Sequence, residues 1–310
     1  MEKRKIGSLS VTVVGIGCNN FGGRIDEKRT EEVVNAAFDA GINFFDTADM
    51  YANGKSEELL GRFLGRRRSD VMIATKFGNE MEGQGHGARP DYIRKAFDAS
   101  LRRLKTDYID LYQQHVPDPG VPIAETLGAL DELVKAGKVR EIGCSNFSAQ
   151  RIREAQAASA SRPGSARFAS VQNEYSLLHR EPENEVLAEC ERQGIAFLPF
   201  FPLKSGLLTG KFRKGQPIPE GTRVAKYERY RTLLTEENLD RIESLIDFAA
   251  SRGHTLLELA FSWLLAREAV ASVIAGATSA RQVRDNAAAT SWKLTADELD
   301  EIDSLLRAVV

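Results

Sequence analysis

Residues 13–23 read VVGIGCNNFGG, an apolar run that stops in a glycine-rich turn. Such a turn invites a dinucleotide-binding reading, in which three glycines spaced G-x-G-x-x-G join a strand to a helix. Counted from Gly15, the third glycine should fall at position 20, which is Asn20. The fingerprint of a doubly wound nucleotide-binding sheet fails at its one candidate, so the fold has to be read from the flanking chain.

Working outward, apolar runs rich in β-branched and aromatic residues recur as VTVVGIG (11–17), INFFDTA (42–48), VMIATK (71–76), YIDLYQQH (108–115), VREIGCS (139–145), FASVQNE (168–174), IAFLPF (195–200) and ASVIAGA (271–277). Between them a 3.6-residue apolar period predicts helices over 30–40, 55–65, 90–104, 122–136, 148–160, 183–193, 235–251 and 279–289. Near-continuous apolar strands suit burial on both faces, and each helix supplies the crossover that parallel neighbours need. Eight strand–helix units with no break in composition predict an α/β fold: one (β/α)8 TIM barrel spanning residues 1–310 as a single domain.

Two segments depart from a tight repeat. Residues 200–234 form a long connection punctuated by Gly and Pro, and its length predicts a mobile flap over the site. AQAASASRPGSAR (155–167) reads as a frayed helix end running into a surface loop.

Bulk properties narrow the partner. With 42% hydrophobic and 28% charged residues and a formal net charge of −2, the chain has no global attraction for nucleic acid or an anionic membrane. The expected partner is a small molecule; oligomeric state is not readable. No apolar segment follows the basic N-terminal residues, and the most apolar stretch, LAFSWLLA (259–266), is too short to span a bilayer and reads as a buried helix. Three scattered cysteines, 18, 144 and 190, argue against a disulfide framework and for a cytoplasmic location. No metal-ligand spacing is present, and no metal is expected.

In a parallel barrel the C-terminal strand ends converge on one rim, so polar residues far apart in sequence meet there. The strand ends supply Asp46 and Tyr51, then Lys76, His115, Ser145 with Asn146, and Gln172. Each alone has an ordinary explanation as a cap, a solvated strand end or a loop residue; together they suit one reaction. A phenol near ~10 needs help to donate a proton at neutral pH. The Lys76 ammonium would lower that value, and Asp46 would hold the ammonium in place. A neutral His115 would orient a carbonyl oxygen and stabilise the charge developing on it. This set lacks a hydride source, and a nicotinamide nucleotide is the natural candidate.

DTADMYANGKSEELLG (46–61), IATKFG, DYIDLYQQHVPD and IGCSNF resemble motifs of the aldo-keto reductase family, and the resemblance runs through nearly the whole chain. It implies a (β/α)8 barrel that reversibly reduces aldehydes and ketones to alcohols with NADPH rather than NADH, with Asp46, Tyr51, Lys76 and His115 as catalytic residues. It also places Ser145, Asn146 and Gln172 at the nicotinamide carboxamide. In PFFPLKSGLLTGK it implies Phe200 stacked on nicotinamide where relatives commonly have Tyr, with Pro202, Leu203, Ser205, Gly206, Leu207 and Lys211 in the covering segment. IAGATSARQVRDN resembles the adenosine-binding segment, which implies Gly276, Thr278, Ser279, Gln282 and Asn286. For a 2′-phosphate, Thr278, Ser279, Arg281 and Arg284 are candidates, although both Arg residues also suit a solvated helix face. Asn19 replaces a common aromatic, and loop 78–90 is a candidate for the mouth of the site. Some members of the family act instead as nucleotide-sensing partners of other proteins, as potassium-channel β-subunits do, and that is the alternative reading.

Overall fold

The computed structural model describes residues 1–308. The chain opens with an antiparallel hairpin, β1 (Lys3–Ile6) and β2 (Leu9–Thr12), in which Ile6 pairs with Leu9. Eight parallel strands follow: β3 (Val14–Gly17), β4 (Phe44–Asp46), β5 (Met72–Phe77), β6 (Ile109–Gln114), β7 (Val139–Ser145), β8 (Phe168–Glu174), β9 (Ala196–Phe200) and β10 (Val273–Gly276). Their spatial order is β10-β3-β4-β5-β6-β7-β8-β9. Phe197 N donates to Ala269 O at 2.7 Å and Ala271 N donates to Phe197 O at 3.0 Å, so β9 meets the chain entering β10 and the sheet curls round to its first edge. This is the (β/α)8 barrel that the strand–helix alternation predicts.

Helices α1 (Glu27–Asp39), α2 (Lys55–Leu64), α3 (Pro90–Leu104), α4 (Ile123–Lys135), α5 (Ala149–Ala160) and α6 (Val186–Gln193) form the successive crossovers. The last crossover is longer than the periodicity suggests. It holds a single turn, α7 (Arg223–Lys226), then α8 (Glu236–Ala250) and α9 (Leu256–Leu265), and the chain ends with α10 (Ala280–Ala288) and α11 (Ala296–Ala308). Leu256 and every residue from Leu259 to Leu265 of α9 are buried, as the run LAFSWLLA requires. One boundary differs from the sequence reading. VTVVGIG is two strands rather than one, since residues 11–12 belong to the hairpin and 14–17 to the barrel.

Side chains alternate along a strand, so residues i and i+2 share a face. One interior layer holds Phe44, Ala74, Leu111, Leu198 and Ile274, clustered with Ile6, Leu9 and Val11 of the hairpin. Two residues further along the same strands come Asp46, Lys76, Gln113, Phe200 and Gly276. The barrel is therefore apolar and plugged by the hairpin at one end, and polar at the end where the strands finish. Segment 200–234 is tied down by buried Leu207, Leu208, Phe212 and Val224.

Candidate active site

Strand β4 ends at Asp46, but its pairing continues as Thr47 N donates to Ala74 O (2.8 Å) and Asp49 N to Lys76 O (3.1 Å). The chain then reverses through Ala52 (φ 49°) and Asn53 (φ 51°), both left-handed, into Gly54 (φ 90°), which precedes α2. Asn and Gly tolerate that conformation; Ala does so at a cost. Tyr51 stands just before this reversal, with its ring against His115.

Lys76 is fully buried. Its Nζ donates to Asp46 Oδ2 at 2.7 Å and to Thr47 O at 2.8 Å, and lies 5.2 Å from the centroid of the Tyr51 ring. Asp46 Oδ1 accepts from Gln172 Nε2 at 2.9 Å. Burial works against the Lys76 charge, yet Asp46 and Tyr51 outweigh it, and the ammonium is held above its usual value. Tyr51 behaves differently from the sequence expectation. Burial raises its hydroxyl above the ordinary phenol value, and the Lys76 charge offsets only part of that rise. The phenol thus keeps its proton at neutral pH, while the ammonium lowers the cost of releasing it.

His115 follows β6 and meets the Tyr51 ring edge-on, with centroids 5.9 Å apart. Burial, and then the Lys76 charge, push its imidazolium down to about 3, so the ring is neutral. Its Nδ1 is buried without a hydrogen-bond partner. A proton on Nδ1 would leave a buried donor unsatisfied, which favours the tautomer protonated on Nε2, a donor for the cleft. Asn146, in the left-handed region at φ 61°, donates from Nδ2 to His115 O (3.0 Å) and Ser145 Oγ (3.1 Å). Ser145 Oγ in turn donates to Gln172 O at 2.7 Å. These bonds knit the ends of β6, β7 and β8 together and leave Gln172 Oε1 without a donor among the described residues.

A cleft of about 680 Å³ opens over these residues. Asp46, Tyr51, His115, Ser145, Asn146 and Gln172 line it, as do Phe200, Pro202, Leu203, Ser205, Gly206 and Lys211, and at the other end Gly276, Thr278, Gln282 and Asn286. Three expected residues do not reach its surface. Lys76 and Leu207 are buried, and the Ser279 hydroxyl caps α10 by accepting from Gln282 N at 3.3 Å. Loop 78–90 contributes no residue to the lining, and His86 is solvent-exposed. Arg281 and Arg284 are also absent from it; Arg281 lies 3.6 Å from Asp285 on an exposed helix face. Among the described residues no three His, Cys, Asp or Glu side chains form a metal site. No helix there is long and apolar enough to cross a membrane.

Sequence reasoning missed Arg24 and Asn20, which line the cleft together with Pro219–Thr222 and Arg223 of segment 200–234. Arg24 Nη2 donates to Gly221 O at 3.1 Å and Arg223 Nη2 to Asn20 Oδ1 at 3.0 Å, so the two loops bridge the cleft. No residue spacing signals a contact between positions 24 and 221. Arg24, Lys211 and Arg223 have no carboxylate within ion-pair distance among the described residues. Burial lowers Arg24, with Arg223 adding to the effect, and burial and then Arg24 lower Lys211. Crowded, partly buried cations without counter-charges make an anion site.

Comparison with known proteins agrees with this geometry. Residues 13–307 match the model of the aldo/keto reductase family. A protein of Schizosaccharomyces pombe named as an NADP(+) aldo-keto reductase, yakc, is 36% identical over 96% of this chain and 89% of its own length. A probable voltage-gated potassium channel subunit beta of Arabidopsis thaliana is also 36% identical, over 99% of this chain and 97% of that one. The solved glycerol dehydrogenase of Gluconobacter oxydans superposes with a TM-score of 0.84 at 30% identity, covering 98% of this chain and 94% of that one. An intact barrel, the polar strand-end cluster and full-length similarity lead to one conclusion: the chain belongs to the aldo/keto reductase family, nicotinamide-dependent oxidoreductases acting on carbonyl groups.

Proposed function

We propose that this protein reduces small aldehydes or ketones with NADPH, with Tyr51 as the proton donor. The observation that carries the reading is the buried Asp46–Lys76 pair directly beneath a cleft that Tyr51 and a neutral His115 line. A bound reduced nicotinamide supplies the hydride. Tyr51 holds its proton until charge develops on the carbonyl oxygen, then releases it as the Lys76 ammonium stabilises the phenolate. Asp46 keeps that ammonium charged and in place. His115 donates from Nε2 to the same oxygen and orients it. In the reverse direction the phenolate takes the proton from an alcohol.

The chain's residues fit the cofactor. Phe200 offers an aromatic face for nicotinamide, and Ser145, Asn146 and Gln172 Oε1 offer donors and acceptors for its carboxamide. A side chain at Gly276 would meet Asn20 Nδ2 at 3.2 Å and narrow the adenosine end, where Thr278, Gln282 and Asn286 stand. Arg24, Lys211 and Arg223 suit the phosphates, and their number supports NADPH, which carries one phosphate more than NADH. Segment 200–234, bridged to the first loop by Arg24 and Arg223, would have to open for exchange. A second reading, a nucleotide-sensing subunit, is supported by the channel-subunit relative; the complete proton-donating set supports the enzyme.

The test mixes protein, NADPH and a panel of small aldehydes and follows the reduced nucleotide. Tyr51→Phe should lose at least about a hundredfold in kcat while nucleotide binding persists. Binding without turnover across the panel would favour the sensor. Fluorescence titration should show NADPH bound roughly tenfold or more tighter than NADH, and Arg223→Ala should narrow that gap.

A further inference from the structure

Asp49 takes no part in the chemistry above, yet it stands two residues before Tyr51 and is fully buried. Its Oδ1 accepts from Met50 N at 2.6 Å, while Oδ2 is buried with no hydrogen-bond partner among the described residues. The Tyr112 hydroxyl, within electrostatic reach, is likewise buried and unpartnered. Each such atom in a packed protein calls for a physical reason.

The groups facing Asp49 come from four elements. Glu57 belongs to α2, Arg103 and Tyr92 to α3, Lys76 to β5 and Tyr112 to β6. Neither cation is free to neutralise a carboxylate. Arg103 Nε is engaged with Glu57 Oε2 at 2.6 Å, and Glu57 Oε1 accepts from Thr75 Oγ1 at 2.6 Å. Lys76 is engaged with Asp46 and Thr47. An ionised Asp49 would be a buried, uncompensated charge, which is costly.

We propose that Asp49 is a positioning residue for Tyr51: neutral, its carboxyl keeps the 46–51 turn closed on Lys76, and when ionised it loosens that turn and slows carbonyl reduction. This rests on the reading of Tyr51 as the proton donor. A buried charge is drawn toward water and takes residues 49–51 with it. Burial, and then the Glu57 carboxylate, raise Asp49 to about 7, inside the range where the enzyme would work. Asparagine in its place would keep the shape and the Met50 contact without the titration.

The decisive experiment compares kcat against pH for wild type and Asp49→Asn, from about pH 6 to about pH 8, with saturating NADPH. Wild type should fall severalfold across that interval, while the variant should stay within about twofold. A variant that titrates like wild type overturns the proposal, as does one that binds NADPH but is inactive at every pH. Should Asp49→Asn fail to fold, infrared difference spectra of the wild-type protein decide the matter. A protonated carboxyl band present near pH 6 and gone near pH 8 supports the assignment, and its absence near pH 6 overturns it. That titration needs no turnover, so it stands apart from failure of the Tyr51 reading, which Tyr51→Phe tests.

Discussion

At the scale of single residues, the Lys76–Asp46 pair shows why one substitution misleads. Lys76→Met removes the ammonium but leaves Asp46 buried, with Gln172 as its close remaining donor. An uncompensated buried charge costs about 3–5 kcal/mol, so the single variant should lose both stability and activity. Asp46→Asn combined with Lys76→Met should recover most of the stability in a denaturant titration and none of the turnover. That outcome would separate the structural from the chemical role of the ammonium. Asp49 gives a stability signature of its own. Its folded value of about 7 lies above the ordinary 3.8, so its favourable contribution is complete below about pH 4 and is lost as pH rises through about 7. Asp49→Asn should therefore be the more stable protein at pH 8, by on the order of 2–4 kcal/mol, with the gap closing toward about pH 4.

At the scale of elements, strand β7 holds the site's geometry through what it lacks. A methyl group at Gly143 would lie 2.3 Å from Ser170 Oγ and 3.0 Å from Ser170 O, and 3.2 Å from Gln113 Cγ. Ser170 Oγ donates to Gln113 Oε1 at 3.2 Å, and Gln113 Nε2 reaches toward Asp46 Oδ1 at 3.5 Å. Gly143→Ala should destabilise by about 1–3 kcal/mol and lower kcat by disturbing Asp46, with Ser170→Ala recovering part of both. Thermal melts and steady-state kinetics on the single and double variants would check it. The barrel strands were readable in the sequence because burial on both faces makes them continuous apolar runs, and the polar residues of the cleft floor because Lys76 and His115 close such runs and Tyr51 follows one closely. The hairpin was not, since Val11 and Thr12 abut Val13 and Val14 with no turn residue to mark the boundary. Arg24 escaped notice for another reason. Its partners, Gly221 and the charge of Arg223, come from a distant segment whose path no local periodicity encodes.

At the scale of the whole molecule, the barrel divides its labour along its axis. The polar layer of Asp46, Lys76 and Gln113 sits two residues beyond an apolar layer that the β1–β2 hairpin covers with Ile6, Leu9 and Val11. Arg4 fastens that hairpin by donating to Leu265 O at 2.9 Å and Val270 O at 2.7 Å, next to the chain that completes the barrel at β9. Stability from this end and chemistry at the other should therefore vary independently, because sites well separated and without shared partners behave additively. Leu9 is fully buried in the cluster that also holds Phe44 and Leu111, so Leu9→Ala leaves a cavity as well as losing transfer energy, about 2–5 kcal/mol in all. The variant should melt earlier but, below its melting range, keep kcat and KM within about twofold of wild type. A large fall in kcat at a temperature where circular dichroism still reports a folded barrel would mean that the plug tensions the strand ends, and that the two ends of the barrel are coupled after all.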